Sequence, residues 1–122
     1  MNGVALLLIA LGGAAGSVMR ALVSVALPSR FPWATLLVNA AGSLLIGVLM
    51  ARFGGDDSAA ALRWRALLAV GFCGGFTTFS TFSWQTLEQM QKGLWGAAAA
   101  NVLLSAALCL MAVWLGFRLG RA

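Results

Sequence analysis

Residues 71–83 read Gly-Phe-Cys-Gly-Gly-Phe-Thr-Thr-Phe-Ser-Thr-Phe-Ser, inside an apolar run from about Ala66 to Met90. Adjacent Gly74 and Gly75 are followed by five hydroxyl residues within the seven positions 77–83. Glycine is a poor helix former, and serine and threonine hydroxyls compete for backbone partners. The run is nevertheless long enough to cross a bilayer core, which takes about 20 apolar residues. The pattern therefore predicts a membrane helix interrupted near its middle. At that depth a break is tolerated only where protein or a cavity satisfies the freed backbone groups. Breaks of this kind bind ions, with carbonyls facing cations and amides facing anions. Phe76, Phe79 and Phe82 recur every three residues among the hydroxyls, so some rings line the same space.

Three further apolar runs flank this one: about Gly3 to Leu27, Trp33 to Arg52, and Trp95 to Phe117. Breaks at 28–32, 54–65 and 89–93 separate them, the second carrying Asp56 and Asp57. With 61% hydrophobic and 9% charged residues, the chain lacks the roughly 25% charge that a soluble domain carries. The expected architecture is an all-α membrane protein with four transmembrane helices, the third broken mid-membrane. A single domain spans residues 1–122, with spans at about 3–27, 33–52, 66–90 and 95–117. The first run has no basic leader and is too long and glycine-rich for a signal peptide, so it is read as part of the mature protein.

The formal charge is +5, but Lys and Arg lie singly in or near breaks, with no basic face to track phosphates. Nucleic acid is excluded as a partner. Four spans put both termini on one side, with Arg52, Arg63, Arg65, Arg118 and Arg121. Arg30, Lys92 and Arg20 fall on the other. Five against three is a weak bias for a chain that Lys/Arg excess should orient. Insertion in both directions, and an antiparallel dimer, are consistent with it. The chain has no histidine, and Cys73 and Cys109 sit in apolar runs without a disulfide or zinc spacing. No nucleophile–base pair or metal cluster points to an enzyme.

Polar residues at membrane depth face protein or a pathway. Thr35, Asn39 and Ser43 share one face of the second span, and Asn101 and Ser105 share one face of the fourth. Ser17, Arg20 and Ser24 form a looser stripe on the first. Hydrogen bonding between helices accounts for Ser17 and Ser43, whereas the amide of Asn39 demands several partners at once. Gly12/Gly16 and Gly71/Gly75 have the spacing of tightly packed helices, which leaves no wide central pore. A pathway belongs at a subunit interface. No carboxylate lies in the first two spans, and Glu88 ends the third. The available hydroxyls, amides, ring edges and Arg20 favour a small anion.

These residues resemble the Fluc/CrcB family of fluoride channels along the whole chain. Gly12-Gly13-Ala14-Ala15-Gly16-Ser17-Val18-Met19-Arg20 is similar to the family's GGxxGxxxR, and Thr35 to Ser43 to TLxxNxxGS. Residues 71–83 match the family's most specific stretch. The resemblance implies an antiparallel, dual-topology homodimer in the cell (inner) membrane, with lipid around it and two fluoride pores per dimer. Fluoride would leave passively, down its electrochemical gradient, relieving its toxicity. It further implies a pore lined by Asn39, Phe79, Phe82, Ser80, Thr81 and Ser105, with Arg20 at the vestibule. The carbonyls of Gly74 and Thr77 would hold a structural sodium ion on the dimer axis. Two departures stand out: Gln85 replaces a common glutamate, and Asn101 replaces a common tyrosine. A small multidrug-type four-helix exporter is the alternative, but it needs an acidic residue in the first span, and residues 1–27 contain none.

Overall fold

The computed structural model describes residues 1–122 and is entirely helical. We number its helices α1 (Gly3–Ala26), α2 (Trp33–Phe53), α3 (59–76), α4 (Phe79–Gln91) and α5 (Trp95–Arg121). Helices α3 and α4 run on from one another, and together they form the third of four spans long and apolar enough to cross a membrane. Thr77 and Thr78 separate them in extended conformation, and the combined axis bends slightly. Within α3, residues Arg65–Cys73 take the wider π-helical hydrogen bonding.

The third span begins at Ala59 rather than near Ala66, a correction to the polar break expected at 54–65. The Ser58 hydroxyl caps the helix by accepting from Ala61 N at 3.2 Å. Ala59, Ala60, Ala61 and Leu62 are strong helix formers once capped. Arg65 then reaches back to donate to the Gly54 carbonyl at 3.1 Å and pairs with exposed Asp57 at 3.6 Å. The neighbouring Asp56 accepts from Ser58 N at 2.8 Å. Hydrogen bonds from the Ser58 backbone and side chain hold this carboxyl below its ordinary pKa. Helix α5 likewise runs to Arg121 instead of Phe117, because Arg118 and Arg121 lay their guanidiniums over Trp114 and Phe117. Cations also suit the negative end of a helix. The third break is shorter than expected: α4 continues to Gln91, and Gly93 turns the chain with a positive φ of 76°.

Two close helix pairs organise the bundle, α1 on α3 and α2 on α5. The first uses the spacing that marked Gly12, Gly16, Gly71 and Gly75. A Cβ on Gly12 would sit 2.8 Å from Phe72 N and 3.1 Å from the Gly71 Cα. In the second pair Gly47 faces the α5 backbone at Val113 and Phe117, while Gly116 faces that of Leu44. Without an apolar driving force between helices in lipid, this backbone approach is what packing rests on. The outward side chains of α1, including Leu7, Leu11, Val18, Leu22 and Val25, are exposed and suit a hydrocarbon environment. Cys73 is buried against Leu49 and Ala69, Cys109 is half-buried, and both are free thiols.

Candidate functional site

The break between α3 and α4 frees backbone groups that must find partners, and Asn39 of α2 takes two of them. Its Oδ1 accepts from Thr78 N at 2.7 Å and its Nδ2 donates to Thr78 O at 3.1 Å. The amide thus stands in for the peptide groups that a continuous helix would have supplied. Ser43, one turn on, donates to the Asn39 carbonyl at 2.7 Å. Arg20 Nε donates to the Gly75 carbonyl at 3.0 Å, with the Ser17 hydroxyl 3.5 Å from the same oxygen. Three polar positions on two other helices therefore secure the interruption.

The same break detaches two carbonyls from their helical donors. Thr78 N, which would close the bond to Gly74 O in a regular helix, is given to Asn39. Thr81 N, the regular partner of Thr77 O, instead caps α4 on the Thr78 hydroxyl at 3.2 Å. Both released carbonyls belong to residues lining an open groove of about 820 Å³ between α2, α3, α4 and α5. Gly74 is exposed, and a Cβ there would meet nothing within 4 Å.

Along this groove the structure brings together six of the residues singled out from sequence: Asn39, Gly74, Thr77, Phe79, Phe82 and Ser105. The rings of Phe79 and Phe82 lie 5.3 Å apart at a 46° tilt, and Phe79 is 78% exposed. Arg20 and Thr81 line a separate cavity of about 250 Å³ between α1, α2 and α4. The Ser80 hydroxyl lies 3.3 Å from that of Thr78, and its residue lines neither space. Thr78 borders both cavities and bonds to Ser80, Thr81 and Asn39, yet sequence alone did not single it out. A threonine able to cap a helix that restarts after the Gly74-Gly75 break was the available signal.

A buried polar chain supports the groove from behind. The Thr86 hydroxyl donates to the Phe82 carbonyl at 2.8 Å and accepts from Asn101 Nδ2 at 3.0 Å. Asn101 Oδ1 lies 3.5 Å from the Ser105 hydroxyl. Asn101 is 1% exposed and joins α5 to α4 instead of lining the groove. Thr86 was missed; its position one turn after Phe82 was its only sequence signal.

The family model described as CrcB-like protein, Camphor Resistance (CrcB), matches residues 7–117. Relatives include the fluoride-specific ion channel FluC of Shewanella oneidensis, 49% identical over 118 residues that cover 93% of this chain and 94% of the relative. The protein of the same name from Paramagnetospirillum magneticum is 48% identical over 114 residues, 89% of each chain. That from Rhodospirillum rubrum is 48% identical over 118 residues, 90% of this chain and 89% of the relative. The chain is a membrane protein that belongs to the CrcB-like family.

Proposed function

We propose that this chain is a fluoride-specific ion channel whose pathway is completed when a second copy covers the groove. The groove itself carries this proposal. Asn39, Ser43 and Ser105 open onto it beside the exposed Phe79 ring. Ser43 and one face of the Asn39 amide are already bonded within the chain. For the hydrogen-bonding capacity that remains, a second protein surface and an ion file are better partners than lipid chains. Nδ2 of Asn39 has two hydrogens and spends one on Thr78, so a donor remains for an anion. The positive edges of Phe79 and Phe82 add attraction without a competing cation. Selectivity follows from exchanging the hydration shell of a small ion for a narrow set of such donors.

The second copy runs antiparallel, in keeping with the weak five-to-three charge bias between the two ends. Two pores result, one along each groove, in the cell (inner) membrane. Ser80 and Thr81 continue the donor line past the groove. Arg20 spends Nε on Gly75 and keeps its terminal nitrogens for the second cavity, where it would draw anions to the mouth. A structural sodium ion fits the two carbonyls, of Gly74 and Thr77, that the break leaves without their helical donors. Neutral oxygens of this kind suit a hard monovalent cation, and no His, Cys, Asp or Glu cluster offers a site for a divalent or softer one. Such an ion would supply positive charge where the two breaks meet.

Transport is passive. Fluoride enters acidified cells as neutral HF and ionises inside, so an open path suffices to let it leave. The cellular test is expression in a fluoride-sensitive strain. Growth restored in fluoride, with no protection against quaternary ammonium compounds, is expected. Protection against the ammonium compounds alone would favour an exporter and overturn the channel assignment.

A further inference from the structure

Separate from the groove, at the end of the bundle that carries the 28–32 and 92–94 loops, lies a cavity of about 210 Å³. Gln85 and Gln89 line it from α4, and Arg30, Glu88 and Lys92 complete its polar wall. It shares no lining residue with the groove. Gln89 is only 6% exposed, and neither its Nε2 nor its Oε1 has a hydrogen-bond partner. Oε1 of Gln85 is also buried without one. Orphaned amides of this kind cost roughly 1–3 kcal/mol each unless something polar meets them. Their burial is thus explained by an occupant.

The rim identifies its chemistry. Lys92 Nζ lies 3.8 Å from Glu88 Oε1, so those two charges offset each other. Arg30 is exposed and has no carboxylate partner, which leaves one unopposed guanidinium over the cavity. A guanidinium fork matches phosphate oxygens two at a time. The depth is given by Trp33 and Trp95, which begin α2 and α5 at this end and are 51% and 64% exposed. Exposed tryptophans mark the headgroup level of a membrane. Basic pockets between spans at that level take phospholipid headgroups. The volume lies below the roughly 300–1,000 Å³ of pockets for drug-sized ligands, which suits a headgroup.

We propose that this cavity binds the phosphate of a glycerophospholipid, with Arg30 on the phosphate oxygens and the Gln89 amide donating from below. The site is independent of which ion the groove conducts. Mass spectrometry of the intact, detergent-released protein in the presence of phosphatidylglycerol tests it. Wild-type chain is expected to retain one lipid per chain. Arg30→Gln and Gln89→Leu are each expected to weaken retention tenfold or more, while Arg121→Gln, at the opposite end, leaves it unchanged. Equal retention in all four proteins would overturn the site. Displacement of the lipid by equimolar inorganic phosphate would overturn the lipid as its source. Thermal unfolding supplies a second readout that does not depend on mass spectrometry. Added phosphatidylglycerol should raise the wild-type midpoint but not that of Gln89→Leu. A Gln89→Leu midpoint above wild type, with and without lipid, would mean a cavity holding water alone.

Discussion

At the scale of single residues, one amide does the structural work that a helix break demands. Asn39→Ala removes both partners of Thr78 and leaves its buried N–H and C=O unpaired. A loss of about 1–3 kcal/mol is expected, read as a lower unfolding midpoint in detergent. Asn39→Asp keeps the acceptor but turns a second oxygen on the Thr78 carbonyl, so as a carboxylate it should lose at least as much. Equal stability of Asn39→Ala and wild type would show that the break needs no such support. The rings answer a different question, because Phe79 is mostly exposed in one chain. Phe79→Ile and Phe82→Ile should each cut fluoride flux tenfold or more, about 1.4 kcal/mol on the barrier, with assembly retained. Unchanged flux in both would remove ring edges from the mechanism. Much of this was legible in advance. An amide among apolar residues demands partners, so Asn39 stood out, and the residues following Gly74-Gly75 announced a break. Thr86 and Thr78 were not legible, since their importance lies in partners distant along the chain, namely Asn101 and Asn39.

At the scale of helices, backbone-to-backbone approach sets the architecture. Gly12→Ala would place a methyl against Phe72 N and the Leu67 carbonyl, neither of which can move aside like a side-chain tip. The cost of such overpacking is about 1–3 kcal/mol. Gly96→Ala meets nothing within 4 Å and should be neutral or slightly stabilising. Comparable midpoints for the two variants would refute tight α1–α3 packing. The four spans were readable because each carries an apolar run long enough to cross a bilayer core. Their ends were less so, because hydrophobicity reports where lipid begins while caps decide where a helix begins. Ser58 starts α3 well before the apolar run, and Arg118 and Arg121 extend α5 beyond it. The π-helical stretch Arg65–Cys73 left no mark in the sequence at all.

At the scale of the whole molecule, one chain leaves a large, mostly apolar groove open, with Asn39, Ser43 and Ser105 on its wall and Gly74 exposed beside it. In the proposed channel a second copy covers it. If two copies meet there, Gly74→Cys should form an oxidative cross-linked dimer in the membrane, and Val25→Cys, 79% exposed on α1, should not. The reverse pattern on a non-reducing gel would place the interface on α1. Function itself is tested most directly by fluoride efflux from liposomes holding the purified protein, with valinomycin balancing charge and chloride-loaded vesicles in parallel. Rapid fluoride release that depends on valinomycin, with chloride retained, is the predicted result. Fluoride held inside the vesicles, or released together with chloride, would contradict a fluoride-selective channel.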